Sequence, residues 1–235
     1  MFYIASKSAI QLNSGFKLEV EILKNAVEHV NSQFSDLEER TEKMALNIFE
    51  VIDFRMLSGL LGETLVSTLS NDVRSLRKNP NIDGYPDLID VSQPKFEQDS
   101  DRWVARDLSK FIKYPHSGIE VKNTFGVKKP GVGLLPGQNR ISKINKKPDW
   151  KAHHTYTNNL LALFSDFING CPQIVAVMYS DQLSTSDWKE KQNPKKNSTM
   201  TSFSNIEPSG WQKLKSNLIL CRSEEPYLNF FGVNN

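Results

Sequence analysis

Cysteine is nearly absent from this chain. Its 235 residues include two, Cys171 and Cys221, far apart and in no metal-ligand spacing. That excludes a disulfide scaffold and a cysteine zinc site, and it fits a reducing cytoplasm. Long apolar runs are missing as well. Nothing approaches the roughly 20 residues of a membrane span, and residues 1–7 hold no long apolar stretch of the signal-peptide kind. The expectation is a soluble cytoplasmic protein with no membrane partner. Neither sign of charge dominates: 29 basic and 27 acidic residues leave a formal charge of +2, so global charge does not announce a nucleic-acid partner. No internal repeat is found.

What is present is ordinary in amount and uneven in placement. With 38% hydrophobic residues the chain can bury a sizeable core, and its length suits one large domain. The expected division is a single domain, 1–235, with a mainly helical part at 1–54, a core at 55–205 and a closing segment at 206–235. Residues 19–63 hold ten acids against four bases. Residues 126–151 hold seven bases (Lys128, Lys129, Arg140, Lys143, Lys146, Lys147, Lys151) against the single acid Asp149. Such segregation lets a nearly neutral chain show a basic face to a polyanion.

Hydrophobic spacing supplies the elements. Val20, Leu23, Val27, Val30, Phe34 and Leu37 step by three and four, the pattern of an amphipathic helix. A second helix is expected over 41–53. A third is expected over 55–76, with Leu57, Leu61, Leu65, Leu69, Val73 and Leu76 on one side. Gly59 and Gly62 inside it cost about 1 kcal/mol each relative to alanine. They point to a close approach on the face that carries Glu63, whose plainer reading is an exposed helical glutamate. Residues 93–101 read as polar and 103–113 as helix. Residues 155–168 read as helix on Leu160, Leu161, Leu163, Phe164 and Phe167, with Gly170 as its cap. Residues 173–180 read as a strand buried on both faces, and 211–220 as a helix. That order suggests a crossover unit beside residues 118–125.

Residues 118–125 carry the chemistry. Ile119 and Val121 alternate with Glu120 and Lys122, the period of a short strand that buries one face and projects the acid and the base together from the other. Earlier, Tyr85-Pro86-Asp87 opens another short β-like run, where a proline at the first residue removes no needed ladder bond. Two carboxylates and a lysine converging at strand ends are the parts for phosphodiester hydrolysis. Mg²⁺ is hard, takes oxygen ligands and is usually held by one or two carboxylates. Asp87 and Glu120 are the candidate ligands, with the Val121 carbonyl as a third and Mn²⁺ as an expected substitute. Lys122 would orient or deprotonate the attacking water, or stabilise charge on the phosphorane. Glu63 is a candidate for a second-metal or water-mediated contact. Asp90 and Asp83 are alternative first acids. The plain alternative is an exposed Glu-Lys pair on an ordinary strand, with Asp87 capping a turn.

Pro86-Asp87 and then Glu120-Val121-Lys122 resemble the motif of the PD-(D/E)xK nuclease superfamily. Tyr85-Pro86-Asp87 and Glu120-Val121-Lys122-Asn123-Thr124-Phe125 are similar to the corresponding stretches of type II restriction endonucleases. A preceding helical glutamate such as Glu63 is common there too. The stretch with Thr157-Asn158-Asn159-Leu160-Leu161 resembles the helix and strand beyond the motif in restriction enzymes. The resemblance covers about residues 55–205. It implies an α/β restriction-endonuclease-like fold, a central mixed β-sheet flanked by helices. It also implies Mg²⁺-dependent double-strand cleavage of DNA leaving 5′-phosphates. The usual setting is a prokaryotic homodimer that reads a palindrome, with a cognate DNA methyltransferase as its partner. The 33 residues from Asp87 to Glu120 are a long gap for the family, which an inserted helix would fill. A nicking repair nuclease of the same fold and a non-catalytic nucleic-acid-binding protein remain the alternatives.

The basic loops take their role from this reading. Lys128, Lys129, Lys143, Lys146, Lys147, Lys195 and Lys196 would contact phosphates, which gives salt-dependent affinity without sequence information. Asn139 and Arg140, beside Gln138, carry groups suited to base edges, as does the loop at 197–204. His153-His154 suits a helix start, a phosphate contact or a plain structural role.

Overall fold

In chain order the elements are strand β1 (Phe2–Ile4), the ribbon β2 (Ile10–Gln11) and β3 (Lys17–Leu18), and helices α1 (Val20–Glu42), α2 (Ile48–Val51) and α3 (Phe54–Asp72). Strands β4 (Leu76–Lys78) and β5 (Leu88–Asp90), helix α4 (Pro94–Val104) and strand β6 (Gly118–Thr124) come next. The rest are β7 (Lys151–Ala152), β8 (Leu160–Ile168), β9 (Cys171–Ser180), β10 (Ser204–Asn205), α5 (Pro208–Ser216), β11 (Leu218–Arg222) and α6 (Glu225–Phe231). They come from a computed structural model that describes residues 2–4, 9–81, 84–104, 113–126, 137–144, 148, 150–152, 159–193 and 202–233.

Seven strands make one sheet in the order β1-β11-β9-β8-β6-β5-β4. The β6–β8 pair is parallel and the other neighbours are antiparallel, so the architecture is α/β with a mixed central sheet flanked by helices. Two hydrophobic layers explain the sequence of the middle strands. Leu161, Leu163, Phe167, Ile174 and Val177 pack with Leu23, Val27 and Val30 of α1 and with Leu57, Leu61 and Leu65 of α3. Leu160, Ala162, Phe164, Val175 and Met178 pack on the other face with Trp211 and Leu214 of α5 and Tyr227, Leu228 and Phe231 of α6. Strands covered on both faces need unbroken apolar runs rather than alternation.

Those two layers also account for where periodicity misleads. The spacing predicts a helix over 155–168, yet Leu160–Ile168 is the central strand β8. Leu160, Leu161, Leu163, Phe164 and Phe167 fit a helix stripe and a doubly buried strand equally well. The deciding signal lies just beyond. Asn169 (φ 53°) and Gly170 (φ 94°) form a two-residue turn that registers Ile168 against Cys171. Asn-Gly is the sequence of a type I′ hairpin, because both central residues need positive φ. Gly170 therefore turns a hairpin and caps no helix.

The remaining elements differ mostly at their ends. Helix α1 runs on to Glu42, and the helix expected over 41–53 shrinks to the single turn Ile48–Val51. Asp53 ends it by capping α3 instead: its carboxylate accepts from the N–H groups of Arg55 (2.7 Å) and Met56 (3.0 Å). Helix α3 stops at Asp72, because Leu76 belongs to the edge strand β4. The polar stretch 93–101 is itself helical within Pro94–Val104, while residues 105–112 lie outside the described set. The helix expected over 211–220 ends at Ser216, and Leu218–Arg222 joins the sheet. Among the described residues no helix is long and apolar enough to cross a membrane.

Candidate active site

The edge of the sheet positions the motif. Strand β5 pairs antiparallel with β6, Leu88 opposite Ile119 and Ile89 opposite Gly118. Extended by one residue, that register sets Asp87 across from Glu120. The 33-residue separation in sequence is thus closed by strand pairing, with α4 carried on the connection. Gly118 permits the approach: a Cβ there would lie 2.2 Å from the Leu88 carbonyl oxygen and 2.4 Å from Cγ of Pro86. The preceding turn is fixed from the other side. Asn79 donates its backbone N–H to the Asp87 carbonyl (2.8 Å) and its side-chain amide to the Pro86 carbonyl (2.8 Å).

Three groups then meet at one ammonium. Nζ of Lys122 lies 2.5 Å from Oε1 of Glu120, 3.2 Å from Oδ2 of Asp87 and 3.2 Å from the Val121 carbonyl oxygen. Each acid also accepts from a backbone N–H across the strand pair. Val121 N–H donates to Oδ2 of Asp87 (2.7 Å), and the Asp87 N–H donates to the Glu120 carboxylate. Glu120 is 2% exposed. Its burial, helped by the Asp87 carboxylate and opposed by Lys122, pushes its pKa up to about 7. Burial alone would lower the Lys122 pKa, but the fields of Glu120 and Asp87 outweigh it and hold the ammonium above its ordinary value. Burial and the same two carboxylates raise the Tyr85 phenol as well.

Helix α3 closes the site. A cavity of about 180 Å³ is lined by Asp87, Val121, Lys122 and Asn123 from the sheet side and by Ser58, Gly59, Gly62 and Glu63 from the helix. The two helical glycines leave room rather than permit a close approach: a Cβ on Gly62 would make only ordinary contact with Cβ of Asn123 (4.0 Å), and Gly59 opens onto the cavity. Asn123 holds the layers in register. It exchanges hydrogen bonds with Ser58 and accepts from the Ser165 hydroxyl (2.7 Å). Glu63 reaches this cavity, and its carboxylate pairs with Nζ of Lys78 at 2.7 Å.

The other candidates are placed less favourably. Arg140 is buried, with its guanidinium 4.5 Å from the Phe54 ring centre, so it packs the core and faces no groove. The Asn139 amide donates to Tyr227 Oη (3.0 Å) and the Phe167 carbonyl (3.4 Å). Lys143 sits half-exposed on a 3-10 turn, Ile141–Lys143. Asp90 is fully buried and bonded to Ser14 and to the Ser92 N–H, away from the ammonium that gathers Asp87 and Glu120. Lys128, Lys129, Lys146, Lys147, Lys195, Lys196, Asp83 and His153-His154 lie outside the described residues. Sequence reasoning does not single out Lys78 or Asn123. Asn123 directly succeeds the Glu120-Val121-Lys122 motif, which is the signal available for it. Lys78 has none, since its place depends on the pairing of β4 with β5.

Comparison with known proteins finds no matching family model, no matching curated protein and no matching solved structure.

Proposed function

We propose that the chain is a Mg²⁺-dependent DNA endonuclease of the restriction type, with a restriction-endonuclease-like fold, cutting both strands by phosphodiester hydrolysis. One observation carries the reading: the Lys122 ammonium touches Asp87, Glu120 and the Val121 carbonyl together. Two carboxylates and a carbonyl that converge on one cation are a hard-oxygen donor set. Among the described residues no cluster of three or more His, Cys, Asp or Glu side chains suits a metal. A two-carboxylate site is what Mg²⁺ uses when waters and substrate phosphate complete its shell.

Asp87, Glu120 and the Val121 carbonyl would hold the metal, which when bound supplies charge neutralisation on the phosphate and a more acidic water. Lys122 must then give up its place among the three oxygens. Lys122, released from the carboxylates whose fields keep its proton bound, would be better able to exchange a proton with the attacking water. Glu63 stands across the cavity for a water-mediated contact. Double-stranded DNA is the substrate, a homodimer the working unit, and a methyltransferase of matching specificity the partner in a prokaryotic cytoplasm.

The test is digestion of plasmid and phage DNA with and without Mg²⁺ or Mn²⁺, repeated with Lys122→Ala. Discrete linear fragments that require metal and Lys122 are expected. Open-circular product alone would replace the reading with a nicking enzyme. A gel shift with no cleavage under either metal would overturn the enzymatic reading.

A further inference from the structure

A second cavity, of about 370 Å³, adjoins the one that holds Lys122. The two share Glu63, Val66 and Asp87 in their walls. Its size lies in the range of small-molecule sites, about 300–1,000 Å³. Two of its lining groups bear on what it could bind.

The first is Lys78. Its partner across the cleft is Glu63, and both side chains are about half exposed. A wet ion pair of this kind is readily exchanged for another anion. The second is Asn81, which is 3% exposed. Both polar atoms of its side chain are closed off from solvent, and no hydrogen bond among the described residues engages either. Buried amides are almost always bonded. Its own backbone groups are both bonded: Asn81 N–H donates to Oδ1 of Asn79 (2.9 Å), and Gly84 N–H donates to the Asn81 carbonyl (3.0 Å). The Asn81 backbone is therefore held on both sides, and its amide is left over beside a cavity that Lys78 also lines. An amide offers a donor and an acceptor side by side, the pattern that matches the edge of a nucleobase.

We propose that this cavity is a nucleotide pocket. It receives one deoxynucleotide of the substrate strand, with Lys78 on its phosphate and the Asn81 amide, turned about its side-chain torsions, on its base edge. The choice of ligand class rests on the nuclease reading. Phosphate arriving at Lys78 takes the place of the Glu63 carboxylate, which is then free toward the cavity it shares with Asp87. The base is read outside the stack, so it is identified without any groove contact.

The test uses the full chain without metal, titrated with dAMP, dCMP, dGMP and dTMP and with deoxyribose 5-phosphate, and read by calorimetry or NMR shifts. One of the four nucleotides is expected to bind at least tenfold more tightly than the sugar phosphate. Lys78→Gln should weaken all five ligands about equally, by fivefold or more. Asn81→Ala should bring the four nucleotides within twofold of one another and leave the sugar phosphate unchanged. Its melting temperature should match or exceed the parent's, which shows that the loss is not unfolding. Equal affinities for the four nucleotides in the parent, no binding at all, or a preference that survives Asn81→Ala would overturn the proposal. Plasmid digestion separates the two readings. Nucleotide preference without cleavage leaves the pocket standing and the nuclease reading refuted, and cleavage without preference does the reverse.

Discussion

Two carboxylates buried in the same sheet, Asp166 on β8 and Glu120 on β6, are treated very differently. Asp166 accepts from the N–H groups of Arg140 (2.7 Å), Ile141 (3.0 Å) and Phe167 (2.8 Å) and from Tyr227 Oη (3.1 Å). Every one of these donors is anchored, and the carboxylate staples the 137–144 segment and α6 to the sheet. Glu120 instead faces a lysine on a flexible stem, shared with a second acid at the rim of a cavity. Fixed neutral donors make a carboxylate a structural joint. A shared ammonium leaves it available to another cation. Burial raises the pKa of both, so burial by itself does not mark the functional one; the kind of partner does.

The largest expected effect lies on the Glu120 side. Lys122→Ala and Asp87→Asn should each lower Mg²⁺-dependent cleavage by about 10³-fold, equivalent to about 4 kcal/mol of barrier, a loss larger than the destabilisation that a broken buried ion pair brings to the urea midpoint. Equal losses of activity and stability would erase the distinction from Asp166. The reverse is expected of Asp166→Ala. It leaves three N–H groups and a phenol without their acceptor and should cost about 3 kcal/mol or more in urea unfolding.

A smaller effect is the pH dependence of the metal-free protein. The Glu120 pKa is raised from 4.5 to about 7 on folding, so the folded state holds the proton more tightly than the unfolded chain. That stabilisation is complete below about pH 4.5 and is lost as pH rises through about 7. The fall should be about 3 kcal/mol, and Glu120→Gln should flatten it when stability is followed across that window. A profile in the variant as steep as the parent's would assign the dependence elsewhere. Smallest of all, Glu63→Gln removes one exposed ion pair and should change stability by about 1 kcal/mol or less.

Parts of this arrangement are legible without coordinates. The stripe from Val20 to Leu37 could only be a helix with one buried side, and α1 conforms to it. Ile119 and Val121 between Glu120 and Lys122 announce a strand with an acid and a base on one face. Glycines at 59 and 62 suggest a close approach on α3, but a side chain at either would fit; what lies over them is the cavity. Residues 160–168 mislead because a central strand's apolar run has no period of its own. Arg140 misleads because charge in a basic stretch says nothing about which side chain stacks on Phe54.

Local spacing settled helices α1 and α3 and the strand that carries Glu120 and Lys122, since these depend on neighbours three, four or two positions away. Only the tertiary structure decided that Asp87, and neither Asp90 nor a residue beyond it, stands opposite Glu120. That depends on the antiparallel register of β5 on β6 and on Gly118, where a side chain would strike Leu88 and Pro86. It also decided that one ammonium joins both acids, and that Lys78 and Asn81 border the same cleft. Strand pairing brings together residues whose separation along the chain carries no trace of the contact, because the length of an intervening loop and helix is free to vary while the ladder's hydrogen bonds are not.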